Sequence, residues 1–301
     1  MTTSMRDRFV RSTVELLESD PNVVLVLAEI SVSAFEGLDL SAGVRDRIIN
    51  VGIREQLMVG VAAGLAKEGF FPIVHTYAPF LVERAYEQLK LDFGHQGFIG
   101  VFVSVGASYD AASSGRTHQS PADVALIRAL PDWNIMVPGH ADEVDVFMRQ
   151  AVSSDRCTYI RLSEETNETA RIGPSQSMRV DQQGSHEFVV IAVGPTLDPV
   201  LRATSGLDLT VLYAPSIRPL DAETLRSFSA KNVVLVEPYL AGTSSASISS
   251  TLSDRPHRLM ALGTRNCDLR KYGAPGEHAA AHGLDEAGLR KSIGDFYQTR
   301  W

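Results

Sequence analysis

The chain has 301 residues, of which 44% are hydrophobic and 21% charged, and its formal net charge is −8. These values fit a soluble globular protein of one large or two ordinary domains. An acidic balance disfavours a nucleic-acid surface, which needs a basic footprint.

Two cysteines, Cys157 and Cys267, lie far apart and without metal-ligand spacing, so neither a disulfide framework nor a metal site is expected. The opening stretch MTTSMRDRFVRST has no apolar core of signal-peptide type. The longest apolar runs, VVLVLA and FVVIAVG, are too short to span a bilayer. The expectation is a cytoplasmic chain with no membrane partner.

In chain order, MRDRFVRSTVELLES places Phe9, Val10, Val14 and Leu17 at helical spacing. NVVLVLAEI is a continuous β-branched run, as in a buried parallel strand. RIINVG is a second strand, and a helix follows from Ile53 to Glu68, whose small residues Gly60, Ala62, Ala63 and Gly64 predict close packing. Next come FPIVHTY as strand, PFLVERAYEQLKLDFG as helix, FIGVFVSVG as strand and the polar loop ASYDAASSGRTHQ. Ser120 as cap, Pro121 at the first helical position and Asp123 in the first turn predict a helix there. NIMVP is strand, ADEVDVFMRQAVSS helix and CTYIRLS strand. Repeated strand–helix order predicts an α/β fold with a mostly parallel sheet.

From Glu164 to Ser185 the sequence is polar and without apolar period, and reads as a linker or surface excursion with a junction near residue 175. A second α/β pattern follows: strands in EFVVIAVG, LDLTVLYAPS, NVVLVEP and HRLMALG, and helices near GTSSASISSTLSD and DEAGLRKSIGDFYQT. The expected division is 1–170, a linker over 171–184, and 185–301. No internal repeat or low-complexity tract is present.

Two motifs carry chemistry: Asn50–Gln56 within NVGIREQ, and SGRTHQSP around Thr117-His118-Gln119. Together with APFLVERAYEQ between them, in this order, they resemble the transketolase family of thiamine-diphosphate enzymes, which includes the deoxyxylulose-phosphate synthases. The resemblance covers the pyrimidine-binding domain and the C-terminal domain. The family holds its metal and diphosphate with a Gly-Asp-Gly segment and a later Asn, and no Gly-Asp-Gly occurs in this sequence. The resemblance therefore implies the C-terminal subunit of a split transketolase. An N-terminal subunit would bring the diphosphate and Mg²⁺ site, in an α₂β₂ heterotetramer sharing thiamine diphosphate.

Residue by residue, the resemblance makes Glu55 the glutamate that shares a proton with the cofactor's aminopyrimidine, so that the thiazolium carbon becomes a nucleophile. Poor solvation helps a carboxyl group hold such a proton near neutral pH. The plainer reading is a surface glutamate in a first helical turn, stabilised by the helix dipole. Phe80 matches the aromatic residue that stacks on the pyrimidine, with Tyr77 and Tyr86 near it in sequence. The plainer reading of Phe80 and Tyr86 is core packing. His118 matches a histidine facing the reacting carbons, able to stabilise an alkoxide or move a proton. Glu29 and Ser33 fall where the family has an acidic cofactor contact and a substrate-contacting serine.

The sequence also departs from the family. Gly106 stands in the place of a sugar-phosphate histidine, Glu164 in that of an arginine, Ser114 in that of an acidic residue, and Arg116 in that of the proline before Thr-His-Gln. An anion at a phosphate site repels the ligand. A substrate other than an ordinary pentose phosphate is expected, with Arg116 or Arg161 as alternative anion ligands. The leading expectation is transfer of a two-carbon ketol unit from a ketose to an aldehyde. The alternatives are the β subunit of a 2-oxo-acid decarboxylase or dehydrogenase, a deoxyxylulose-phosphate-type synthase, and a catalytically silent scaffold.

Overall fold

The computed structural model describes residues 3–171 and 177–299. The first half runs α1 (Met5–Ser19), β1 (Val23–Leu27), α2 (Val32–Glu36), α3 (Ala42–Arg45), β2 (Ile48–Asn50), α4 (Glu55–Lys67), β3 (Phe71–Tyr77), α5 (Tyr86–Gln88), β4 (Val101–Val105), α6 (Asp123–Arg128), β5 (Asn134–Met136), α7 (Ala141–Val152) and β6 (Thr158–Arg161). The second half runs β7 (Arg179–Gln182), β8 (Phe188–Val193), α8 (Leu197–Thr204), β9 (Thr210–Ala214), β10 (Ser216–Arg218), α9 (Ala222–Arg226), β11 (Asn232–Leu240), α10 (Ser245–Thr251), β12 (Arg258–Thr264), α11 (Pro275–His282) and α12 (Glu286–Gln298). No helix among the described residues is long and apolar enough to cross a membrane.

The strands form two sheets. The first has seven strands in the order β10-β5-β6-β4-β3-β1-β2, parallel except for β10, which runs antiparallel to β5. The second has five, β12-β11-β8-β9-β7, parallel except for β7. Every residue of β1, β4 and β8 is buried, the pattern of strands covered on both faces. Phe9 and Leu17 of α1 with Val144 and Phe147 of α7 cover one face of the first sheet. Met58, Val59 and Ala62 of α4 with Leu81 and Phe93 cover the other. Parallel strands joined by helices leave their connecting loops at one end of the sheet, where ligands bind.

Several local expectations are corrected. The helix expected from Ile53 starts at Glu55. Close packing of α4 comes from buried Ala62 and Ala63. An added Cβ at Gly60 would meet only Asp92 Oδ2, at 3.7 Å, and at Gly64 nothing. The expected helix in PFLVERAYEQLKLDFG is π-helical over Pro79–Arg84 and Leu89–His95, on either side of α5. Wide turns of this kind cluster at functional sites.

The helix expected from Ser120 begins at Asp123. Ser120 caps nothing: its hydroxyl donates to Glu83 Oε1 at 2.9 Å and its N–H to the Ser108 carbonyl at 2.9 Å. Asp123 is fully buried beneath Arg161, whose Nε donates to Asp123 Oδ2 at 2.7 Å. In the stretch read as a linker, β7 pairs with β9. The junction expected near residue 175 lies outside the described residues.

Candidate active site

Glu55 opens α4 just after a turn built by Asn50. Asn50 Oδ1 accepts the N–H groups of Glu29 and Gly52, each at 3.0 Å. Gly52 has φ +72°, a conformation that favours glycine. Asn50 Nδ2 in turn donates to Glu29 Oε2 at 3.0 Å, and Glu29 itself sits at φ 66°. Strain at a non-glycine residue of this kind collects at functional sites. The turn fixes where the Glu55 side chain enters the protein.

Glu55 is 1% exposed, so it is no surface glutamate. Its Oε2 accepts from Arg84 Nη1 at 2.7 Å. Its Oε1 is buried with no hydrogen-bond partner among the described residues. Leaving a buried acceptor unmatched costs about 1–3 kcal/mol, and such groups in native folds have a reason.

Arg84 continues to Phe80, with its guanidinium carbon 4.2 Å from the ring centroid. That face of Phe80 is closed to a stacking ligand. His118 meets Phe80 edge-on at 5.0 Å between centroids, and Tyr77 meets Phe80 at 6.0 Å and His118 at 5.7 Å. Glu55, Arg84, Phe80, His118 and Tyr77 thus form one unbroken series of contacts. It is supplied by α4, the π-helical turn after β3, β3 itself and the polar loop.

His118 closes a 3₁₀ turn, Arg116–His118, with its N–H on the Gly115 carbonyl and its Nδ1 3.0 Å from Thr117 Oγ1. The loop is braced from both ends. Asp110 Oδ2 accepts the Ala107 and Glu164 N–H groups, each at 3.0 Å, and Gln119 Nε2 donates to the Lys271 carbonyl at 3.1 Å. Burial pushes the Asp110 carboxyl up to about 7. At Gly106, which has φ +70°, an added Cβ would lie 2.1 Å from Tyr77 Cδ1. The Tyr77 ring therefore fills the space a side chain at 106 would take.

Residues 2–168 match the family described as "Transketolase, pyrimidine binding domain". The chain belongs to the transketolase family. An uncharacterized 33.6 kDa protein in the fasciation locus of Rhodococcoides fascians is 47% identical over 287 residues, 93% of this chain and 90% of that one. The 1-deoxy-D-xylulose-5-phosphate synthase of Nitrosomonas eutropha is 32% identical over 260 residues, 82% of this chain but 42% of the synthase. The chain thus spans less than half of that relative. A solved structure described as "Split gene transketolase, inactive beta4 tetramer" shares the fold, with a TM-score of 0.84 at 23% identity over 100% of both chains.

In this transketolase-family chain the other expected residues stand apart from the central series. Tyr86 packs against the core and donates its hydroxyl to the Leu126 carbonyl at 3.2 Å, the plainer reading given for it. Ser33 is exposed on α2. Arg116 is exposed and donates Nη1 to the Gln119 carbonyl at 2.7 Å. Glu164 is exposed on the loop after β6.

Arg161, considered as an anion ligand, is 1% exposed and holds Asp123, Ser108 Oγ at 2.6 Å and the Pro238 carbonyl at 3.5 Å. Sequence reading missed Arg84, which joins Glu55 to Phe80. The available signal was its place four residues after Phe80 in the same motif. Among the described residues no three His, Cys, Asp or Glu side chains stand close enough to hold a metal ion.

Proposed function

We propose that the chain is the pyrimidine-binding half of a two-chain, thiamine-diphosphate-dependent enzyme that transfers a two-carbon ketol unit from a ketose to an aldehyde. The observation that carries this reading is Glu55: a buried carboxylate with Oε2 on Arg84 and Oε1 without a donor. A ring N–H is the partner such an oxygen lacks, and Phe80 and Tyr77 line the approach with aromatic surface. The residues present therefore fit an aminopyrimidine.

Thiamine diphosphate, when bound, supplies a nucleophilic carbon. Glu55 Oε1 would share the proton on the ring nitrogen, and Arg84 keeps the carboxyl group oriented. Phe80 and Tyr77 exclude water, which strengthens every charge interaction inside the cleft. His118 stands beside both rings and holds or moves a proton at the substrate oxygen.

The diphosphate and Mg²⁺ are read as a partner chain's by likeness to the split-gene transketolase chain, since no Gly-Asp-Gly segment occurs in this sequence. The family resemblance makes α₂β₂ the assembly proposed. The test is co-expression with a chain carrying Gly-Asp-Gly and a later Asn, followed by a ketol-transfer assay with thiamine diphosphate and Mg²⁺. The pair is expected to turn over and the isolated chain to be inactive. Full activity in a Glu55→Ala pair would overturn the reading.

A second reading has specific support: a 2-oxo-acid donor, as in a synthase. Synthase relatives reach 32% identity, Glu164 stands where a phosphate-binding arginine is expected, and the Tyr77 ring fills the space at Gly106. Release of CO₂ from pyruvate, with no turnover of xylulose 5-phosphate, would select it.

A further inference from the structure

The loops after β4 and β6 face α8, the end of β12 and the α11–α12 region across a cavity of about 420 Å³ between the two sheets. None of Glu55, Tyr77, Phe80 and His118 borders it. Six carboxylates do, Glu165 on the loop after β6 among them, against two arginines and one histidine. Arg161 is committed to Asp123 at 2.7 Å and Arg202 to Glu286 at 3.3 Å. Of the six carboxylates only Glu286 has an ion pair among the described residues.

His282 adds no charge. Its Nδ1 accepts the Arg265 N–H at 3.1 Å, so its proton is on Nε2, which faces Tyr109 Oη at 3.1 Å. Burial holds its pKa below the usual histidine range. Asp110 lies on the same wall without an ion pair. Thr264 supplies an independent sign of a missing ligand: it lines the cavity, is 2% exposed, and its Oγ1 has no hydrogen-bond partner among the described residues. A buried hydroxyl without a partner is a cost that a ligand N–H would remove. The carboxylates are too dispersed for a metal ion, since no three metal-binding groups converge among the described residues. Their spread suits an elongated cation.

We propose that this interdomain cavity binds a small organic amine, with its ammonium groups among the unpaired carboxylates and one N–H on Thr264 Oγ1. The site does not rest on ketol transfer, and its test reads binding to the chain rather than turnover. Failure of the thiamine reading therefore leaves it standing.

The experiment uses the full chain at pH 8 and low salt, with thermal melting and calorimetry. The probes are 1-aminobutane, 1,4-diaminobutane and 4-guanidinobutylamine, with 1,4-butanediol and succinate as uncharged and anionic controls. At ten times its dissociation constant an amine is expected to raise the melting temperature by about 2 °C, with no shift from either control. Glu165→Gln and Thr264→Val are each expected to weaken binding about tenfold. Circular dichroism checks that both variants fold, and Glu165→Gln, on a loop, keeps the test open if Thr264→Val does not. The proposal fails if no amine shifts the melt, if butanediol shifts it equally, or if the folded variants bind like the parent chain.

Discussion

Replacing Glu55 by leucine separates a residue kept for chemistry from one kept for the fold. The side chain is 1% exposed, while its partner Arg84 is 40% exposed. Losing the ion pair costs little, about 0.5 kcal/mol, because the freed guanidinium reaches water. Losing an acid in the first turn of α4 costs about another 0.5 kcal/mol. Removing the unpartnered Oε1 returns about 2 kcal/mol. Leucine and glutamate have similar helix propensity. The sum is a stabilisation of about 1 kcal/mol, read as a rise of about 2 °C in melting temperature. The same change should lower ketol transfer by the reconstituted pair at least about 100-fold. A melting temperature more than about 4 °C below the parent's would refute the reasoning, because Glu55 would then serve the fold. Unchanged turnover would refute it from the other side.

Other outcomes follow from neighbouring geometry. His118→Gln should lower kcat about 10²–10⁴-fold with little change in melting, measured on the reconstituted pair. Arg161→Met should cost about 3–5 kcal/mol in urea unfolding, because it strands Asp123, which is 0% exposed; adding Asp123→Leu should recover most of that. Asp110 has a folded-state pKa of about 7, above its ordinary value of 3.8. Its stabilising protonation is complete below the ordinary value and is lost as pH rises through about 7. Asn can keep the accepted N–H bonds without the charge, so Asp110→Asn should gain on the parent chain by about 1–3 kcal/mol between pH 5 and pH 8. A pH-independent difference in urea denaturation would remove that assignment.

The α/β order was legible because buried parallel strands are written as uninterrupted runs such as VVLVL and FVVIAV. β7 and β10 were not legible: β7, RVDQ, is polar and half-exposed, and β10, SIR, follows β9 after a single residue. The π-helical turns around α5 share the composition of an ordinary helix, and only packing against α4 and α6 distinguishes them. Ser120 carries a genuine capping signal that lost to two tertiary partners, Glu83 and the Ser108 backbone. Glu55, Phe80 and His118 could be found because motif order names them. Their bridging residue, Arg84, stands in the same motif, but its salt bridge across 29 positions is decided by the fold. The charge of Arg161 was visible in the sequence, but its burial under the second half of the chain was not.

The antiparallel partner of β5 comes from the other half of the molecule, and Ser108, Arg161 and Pro121 reach across to the backbone of Pro238 and Leu240. Cut between the halves, the first would keep a naked sheet margin at β5, the kind of margin that recruits strangers and precipitates. It would also keep a guanidinium that had lost its roof. The two halves are therefore not cassettes that could be traded one at a time. Any swap that leaves no bare margin at β5 has to move both, with the seam between them intact.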